Sequence, residues 1–346
     1  MLNVALIGFG GIAQAHKNGY ATMEKLGKAR LVAVCDIRKE AFEKTVEINL
    51  KTENKNTDIA FQCYTDLEEM LRNEKIDLID ICVPSYLHRE ISVKMLERGY
   101  NVLCEKPMAL NSEDCTAMLE AEKKSRAQLG VCQQNRFEPN MIWLMDFIKE
   151  HGFKSGVGLV SWKRDEAYYR SGAWRGTILE EGGGVMINQA LHTLDLLMHI
   201  CGMPTHATAH ISNDFHKDYI EVEDTAVAHF EMEDGTRYHF YATNNATADL
   251  PVQLQFVTKD NKKVFATNDI ITVDDELVTV AEKESLAGHM VGKAVWGTGH
   301  AVLINDFYRC IEENVPFRIP GVEGAKVIQL ILSMYNSHGN RIKTMA

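Results

Sequence analysis

NVALIGFGGIA, residues 3–13, runs from an apolar stretch through a glycine turn into the first turn of a helix. In Gly8-Phe9-Gly10-Gly11-Ile12-Ala13 the first glycine permits a tight turn and the second lets a pyrophosphate approach the backbone. The small side chain of Ala13 lets the helix lie close on the sheet, and the N–H groups of a helix start are a ready anion site. Glycines also mark ordinary turns, so the context decides. A strand precedes, a helix follows, and Asp36 ends the next apolar run, LVAVCD, where a carboxylate can accept from ribose hydroxyls. The stretch reads as a dinucleotide-binding strand–helix–strand unit.

Outward from it, the first 135 residues repeat the theme. NVALIG, LVAVCD, DLIDICV, NVLCE and GVCQQ alternate with segments of helical period, the pattern of a parallel sheet covered on both faces. Thr65-Asp66-Leu67-Glu68 and Asn111-Ser112-Glu113-Asp114 carry capping oxygens ahead of acidic first turns. KTENKNT, residues 51–57, reads as a surface loop. From about residue 136 the pattern predicts a helix over 140–150, a strand over 158–163, a glycine-rich loop, one long helix from Gly184, and β-like runs. TAVAHFEMEDGTRYHFYATNN alternates around Asp234-Gly235, a hairpin signal. Helices resume near His300 and close at about Asn340. Two domains are expected, 1–135 and 136–346, with the last helix a candidate for packing back on the first. The second is largely antiparallel.

The 346 residues, 45% hydrophobic, suffice for two cores. Against 48 acidic residues stand 37 Lys and Arg, a formal charge of −11 that repels nucleic acid and anionic membrane. MLNVALIGFGG lacks a basic leader, and no run approaches the ~20 apolar residues of a membrane span, so a cytoplasmic protein is expected. Eight cysteines are scattered without a Cys-x-x-Cys pair; Cys35, Cys82, Cys104 and Cys132 fall in or at the end of strand-like runs and read as reduced core thiols. No metal site is expected: His206 and His210 fall in a β-like stretch, where such side chains sit about 13 Å apart.

Asp36 favours NAD, because a 2′-phosphate would meet like charge; Arg38, two residues on, would suit that phosphate and keeps NADP as the lesser alternative. Lys106, in VLCEKPMAL, stands at the carboxyl end of a parallel strand, where ligands bind such sheets, with Pro107 restricting its backbone. On the helix expected from Gly184, Asn188, His192, Asp195 and His199 share one face. Trp174-Arg175 in the preceding loop offers an aromatic face and a guanidinium.

The glycine turn, Cys82-Val83-Pro84-Ser85-Tyr86-Leu87-His88, Glu105-Lys106-Pro107 and Gly182-Gly183-Gly184…His192…Asp195 together resemble the glucose-fructose oxidoreductase / inositol dehydrogenase / MocA family over essentially the whole chain. The resemblance implies an N-terminal Rossmann domain and a C-terminal α/β domain with a large open, mostly antiparallel sheet. It also implies hydride transfer between a nicotinamide cofactor and a secondary alcohol of a sugar, cyclitol or related polyol, and a homodimer or homotetramer formed through that sheet. On this basis Lys106 and His192 are the expected catalytic pair, either of them the proton acceptor. Asn188, Asp195, Trp174, Arg175 and His300 are expected at the substrate. The turn residues 8–13, Asp36, Arg38, Val83, Pro84, His88, Glu105, Lys106 and Arg136 are expected at the cofactor. Two departures stand out: Ser85 replaces the family's usual Asn, and Asn188 replaces an Asp carried by many of its dehydrogenases. Asparagine cannot ionise, which argues against a Lys-Asp-His triad. Two other activities fit the pattern. One is a redox-neutral enzyme that retains NAD while eliminating, epimerising or cleaving a glycoside; the other is an NAD-sensing regulator without chemistry.

Overall fold

The structure, a computed structural model, describes residues 1–43, 59–280 and 299–345; the loop expected over 51–57 lies outside the described residues. They divide into two compact units. The first begins β1 (Leu2–Ile7), α1 (Gly11–Lys25), β2 (Ala29–Cys35), α2 (Glu40–Glu43), β3 (Gln62–Tyr64), α3 (Leu67–Asn73), β4 (Leu78–Ile81), α4 (His88–Glu97), β5 (Asn101–Cys104), α5 (Ser112–Lys124) and β6 (Leu129–Val131). Its six strands are all parallel in the order β3-β2-β1-β4-β5-β6. The order reverses between β1 and β4, which sets the glycine turn beside Cys82 and Val83 at the strand ends. Strands this short and buried on both faces read as unbroken apolar runs, as β1 and β5 do. Asp66 caps α3, its side chain accepting from Glu69 N at 2.6 Å.

The chain continues with α6 (Pro139–His151), β7 (Phe153–Ser161), α7 (Glu166–Arg170), α8 (Leu191–Cys201), β8 (His206–Ser212), β9 (Thr225–Glu231), β10 (Arg237–Thr243), β11 (Gln253–Thr258), β12 (Lys263–Ala266), β13 (Ile271–Val273), β14 (Glu276–Leu277), α9 (Gly299–Glu313), α10 (Gly321–Ser337) and β15 (Ile342–Lys343). In the second unit nine strands run β14-β13-β12-β11-β7-β10-β9-β8-β15, antiparallel except where β7 meets β10. The expected hairpin is β9–β10, turning at Gly235 with φ +81° and with Asp234 Oδ1 accepting from Thr236 N at 2.9 Å. Helix α8 lies so close on β7 that a Cβ at Gly158 would come 2.6 Å from Leu197. On the other side of the sheet Val227, Tyr241 and Leu159 stand in register, next to a row holding His229, His239 and Val157. No helix among the described residues is long and apolar enough to cross a membrane.

Two sequence readings need correction. The single boundary near 135 places residues 299–324 in the second domain, but they belong to the first unit, and it is the penultimate helix, α9, that packs there; α10 belongs to the second unit from Ala325 onward. Glycines make room for this. A Cβ at Gly19 would sit 2.9 Å from Ile304, and one at Gly130 would sit 3.0 Å from Phe307.

The long helix expected from Gly184 begins only at Leu191, and Asn188 therefore lies in the turns that precede it. Glu223, buried, accepts from Gly184 N and Met186 N, each at 2.9 Å, and from Tyr335 Oη at 2.9 Å. These bonds hold the segment out of helical geometry and satisfy a carboxylate that burial otherwise pushes toward its neutral form. A Cβ at Gly184 would meet Glu223 O at 1.9 Å. Gly184→Ala is accordingly expected to cost about 3 kcal/mol or more in a urea titration, with the m-value unchanged.

Candidate functional site

In the first unit the glycine turn is built as the sequence requires. Gly8 has φ +87°, and a Cβ there would lie 2.6 Å from Cys82 O. A Cβ at Gly10 would project into open space beside the start of α1, whose N-cap residue makes no side-chain bond. Phe9 packs against Phe42 and Phe61, and its N–H donates to Asp36 Oδ2 at 2.8 Å. Arg38 grips the same carboxylate, Nε to Oδ1 at 3.0 Å and Nη2 to Oδ2 at 2.9 Å, with its own N–H on Oδ1. Burial works against the charge of Asp36, but these donors outweigh it and hold the carboxyl below its usual range. An open Gly10, an uncapped helix start and an ionised Asp36 fit the pyrophosphate and ribose of a dinucleotide.

At the end of β5, Glu105 is buried and Lys106 half-buried, and the Lys106–Pro107 peptide is cis. Glu105 Oε2 accepts from Lys106 N at 3.0 Å. His88 is buried with Nδ1 on Pro107 O at 2.7 Å and Nε2 on Val83 O at 3.0 Å, so its ring ties two strand ends together. Arg136, also buried, pairs with Glu323 at 3.0 Å. His300 is not separate from this region: its Nε2 lies 3.4 Å from Glu105 Oε1, and its ring packs edge-on against His16.

His16 is the residue the sequence reading missed. It is fully buried, with Nδ1 2.7 Å from Asp80 Oδ2 and Nε2 2.8 Å from Glu105 Oε1, while Tyr20 Oη donates to Asp80 Oδ2 at 2.6 Å. The available signal was the buried stripe Ala13, His16, Tyr20 on α1. A carboxylate oxygen accepts, so two such partners, one on each ring nitrogen, suit the doubly protonated, charged ring. Burial opposes that charge, yet Asp80 overrides it and raises His16 well above 6.5. Glu105, also opposed by burial, is held well below its ordinary value by His16 and His300. The separations of 2.7 and 2.8 Å are those of shared protons; ligands about 2.0 Å from one tetrahedral ion stand about 3.3 Å apart. All eight cysteines are free thiols; seven are buried, and burial pushes Cys82 up to about 12.

The cluster sets a pH dependence. Tyr20, Asp80, Cys82, Glu105, Cys132 and His300 all face His16. A raised folded pKa contributes stability that is complete below the unfolded value of about 6.5 and is lost as pH rises through the folded value. The melting-temperature gap between the wild type and His16→Gln is therefore expected to be widest at and below about pH 6.5 and to narrow as the pH rises through the folded value.

In the second unit, buried Glu181 receives the side-chain N–H of Asn188 and the backbone N–H of Gly176. Glu181, like Glu223, escaped the sequence reading, because its partners are backbone and amide groups that leave no spacing pattern. His192 is half-buried in the first turn of α8, Asp195 is buried, and His199 is exposed. The guanidinium of Arg175 lies 4.4 Å from the ring centres of both Tyr168 and Trp174. Its Nη1 donates to Tyr168 Oη at 2.5 Å, and Gln189 Nε2 donates to the same oxygen. Arg175 has no carboxylate partner among the described residues, whereas Arg164 pairs with Asp249 and Arg170 with Glu166.

A glycine turn and acidic strand end on a doubly wound parallel sheet, followed in the same chain by a large, mostly antiparallel sheet, define a dinucleotide-binding oxidoreductase class. Residues 2–133 match the profile of an oxidoreductase family with an NAD-binding Rossmann fold, and residues 157–262 match the GFO/IDH/MocA C-terminal domain. The chain belongs to the Gfo/Idh/MocA oxidoreductase family. It is 30% identical over 208 residues to the D-glucoside 3-dehydrogenase of Escherichia coli K12, covering 59% of this chain and 55% of that protein. The chain spans about half the length of the curated relatives it matches. The WlbA dehydrogenase of Bordetella pertussis, solved with NADH and UDP-GlcNAcA, superposes with a TM-score of 0.81 at 24% identity, over 100% of this chain and 99% of that one. A levoglucosan dehydrogenase solved with NADH and levoglucosan superposes with a TM-score of 0.84 at 20% identity, over 100% of both chains. At these identities the likeness of the structures speaks for the fold.

Proposed function

We propose that the protein is an NAD-dependent oxidoreductase that moves hydride between nicotinamide and a secondary alcohol or ketone of a sugar, cyclitol or sugar derivative. The observation that carries this reading is the Glu105-Lys106-Pro107 segment at the carboxyl end of β5, in the sheet that also holds the glycine turn and Asp36. Residues 8–13 and Asp36 would hold the dinucleotide, which when bound supplies the hydride acceptor. The substrate oxygen is the chain's own task. Lys106 as ammonium donates a hydrogen bond to it, as neutral amine it takes the hydroxyl proton, and His192 donates to or relays from the same oxygen. Asn188, fixed by Glu181, orients a hydroxyl without adding charge. Trp174 offers a face to a sugar ring, and the N–H groups of Arg175 suit a carboxylate on an acidic sugar.

Two features support the enzyme reading over the regulator: Lys106 and His192 are both present. The deciding experiment is a screen of NAD and NADP reduction by the purified protein against sugars, cyclitols and uronates. Rapid NADH formation with one class supports the proposal. Substrate conversion without net NADH would instead make the enzyme redox-neutral, and binding of NAD without any conversion would sink the enzyme reading. We also propose that copies pair through the sheet face bearing Val227, Tyr241, Leu159 and Val157. Sedimentation velocity should then show a dimer or tetramer that Val227→Lys dissociates.

A further inference from the structure

We propose that His16 is a positioning residue for Lys106, acting through Glu105. This rests on the reading of Lys106 given above. The two oxygens of Glu105 are divided between two donors: Oε1 takes His16 Nε2 at 2.8 Å, and Oε2 takes Lys106 N at 3.0 Å. On the far side of Lys106, the carbonyl of Pro107 is held by His88 Nδ1 at 2.7 Å. The lysine backbone is thus bracketed before and after its own residue, and the bracket is anchored in the sheet. Asp80 in β4 holds the other nitrogen of His16, and Tyr20 fixes the carboxylate of Asp80.

His16 is fully buried, so it touches no substrate and its effect must pass through its neighbours. Its chemistry suits that task. A ring donating from both nitrogens is the smallest side chain that can bridge two buried carboxylates on adjacent strands while cancelling one of their charges. A neutral amide in its place has one donor end and one acceptor end, and the acceptor would face a carboxylate. Glu105 is equally specific: glutamine keeps its shape but offers one acceptor oxygen to two donors.

The test compares wild type with His16→Gln and Glu105→Gln, each first shown to be folded by its melting transition. Three quantities are read: kcat and KM on the best substrate from the screen, the dissociation constant of NAD, and the NMR resonance of the Lys106 amine after reductive 13C-methylation, assigned by its absence in Lys106→Arg. Both variants are expected to lose tenfold or more in kcat while KM and NAD affinity stay within threefold, and the Lys106 resonance is expected to move or broaden. A folded variant with wild-type kcat and an unmoved resonance would show that the cluster only holds the core together. Lost turnover with an unmoved resonance would place the effect elsewhere and equally overturn the proposal. If His16→Gln does not fold, Glu105→Gln decides by the same criteria. If Lys106→Ala keeps its turnover, the reading of the reaction fails on its own, and the resonance still decides whether His16 positions the lysine.

Discussion

Lys106→Ala is expected to lower kcat about a thousandfold while leaving the dissociation constant of NAD within about threefold of wild type. General acid–base groups contribute roughly 10²–10⁴ to rate, and this lysine is assigned both the hydrogen bond to the substrate oxygen and the proton transfer. Its surroundings make the assignment concrete. The side chain is half-buried, and its backbone N–H is committed to a buried carboxylate. Lys106→Arg separates the two roles, since arginine keeps the charge and the donors but does not deprotonate. An arginine variant as slow as the alanine one makes Lys106 the proton acceptor; one that retains a tenth or more of the rate makes it the oxygen's donor, with His192 the acceptor. Steady-state rates together with NAD titrations of all three proteins check this. An alanine variant running near wild-type speed would remove Lys106 from the chemistry.

Local signals carried the sequence reading as far as local interactions determine the fold. The turn at Gly8 is set by its own φ and by strands on either side, and the hairpin at Asp234-Gly235 by a three-residue turn, Glu233 to Gly235, between alternating strands. Both are legible because the residues that decide them are neighbours in the chain. The start of α8 is not. Ile187, Leu191, Leu194 and Met198 have helical spacing, but Glu223, 39 residues beyond Gly184, captures the N–H groups that a helix from Gly184 would leave unpaired. Residues 299–324 fell in the wrong unit for a similar reason. The match between α9 and the gaps at Gly19 and Gly130 is a matter of shape, and shape has no period. The site divides along the same line. Asp36 and Lys106 stand at strand ends where a rule names them, whereas His16, Glu181 and Glu223 act through bonds to partners that no spacing pattern names.

Asp36→Ser is expected to shift the ratio of kcat/KM for NAD over NADP by a hundred- to a thousandfold toward NADP, equivalent to about 3–4 kcal/mol of discrimination. The direction follows from charge. Asp36 is ionised, only 7% exposed, and its carboxylate is pinned by Phe9 N and by the guanidinium of Arg38. Two unit charges about 4 Å apart near a protein surface repel by roughly 4 kcal/mol, enough to exclude a 2′-phosphate from this carboxylate. Serine removes the repulsion and does a second thing: it frees Arg38, whose only carboxylate contact among the described residues is Asp36. A guanidinium so released suits a phosphate better than any neutral group would. Arg38→Ala tests that half of the argument. In the wild type it should change NAD use little, because the carboxylate keeps the N–H of Phe9; combined with Asp36→Ser it should cancel most of the gain in NADP use. Initial rates with both cofactors across the four proteins measure it, and a wild type that prefers NADP from the outset would show that Arg38, not Asp36, governs the choice.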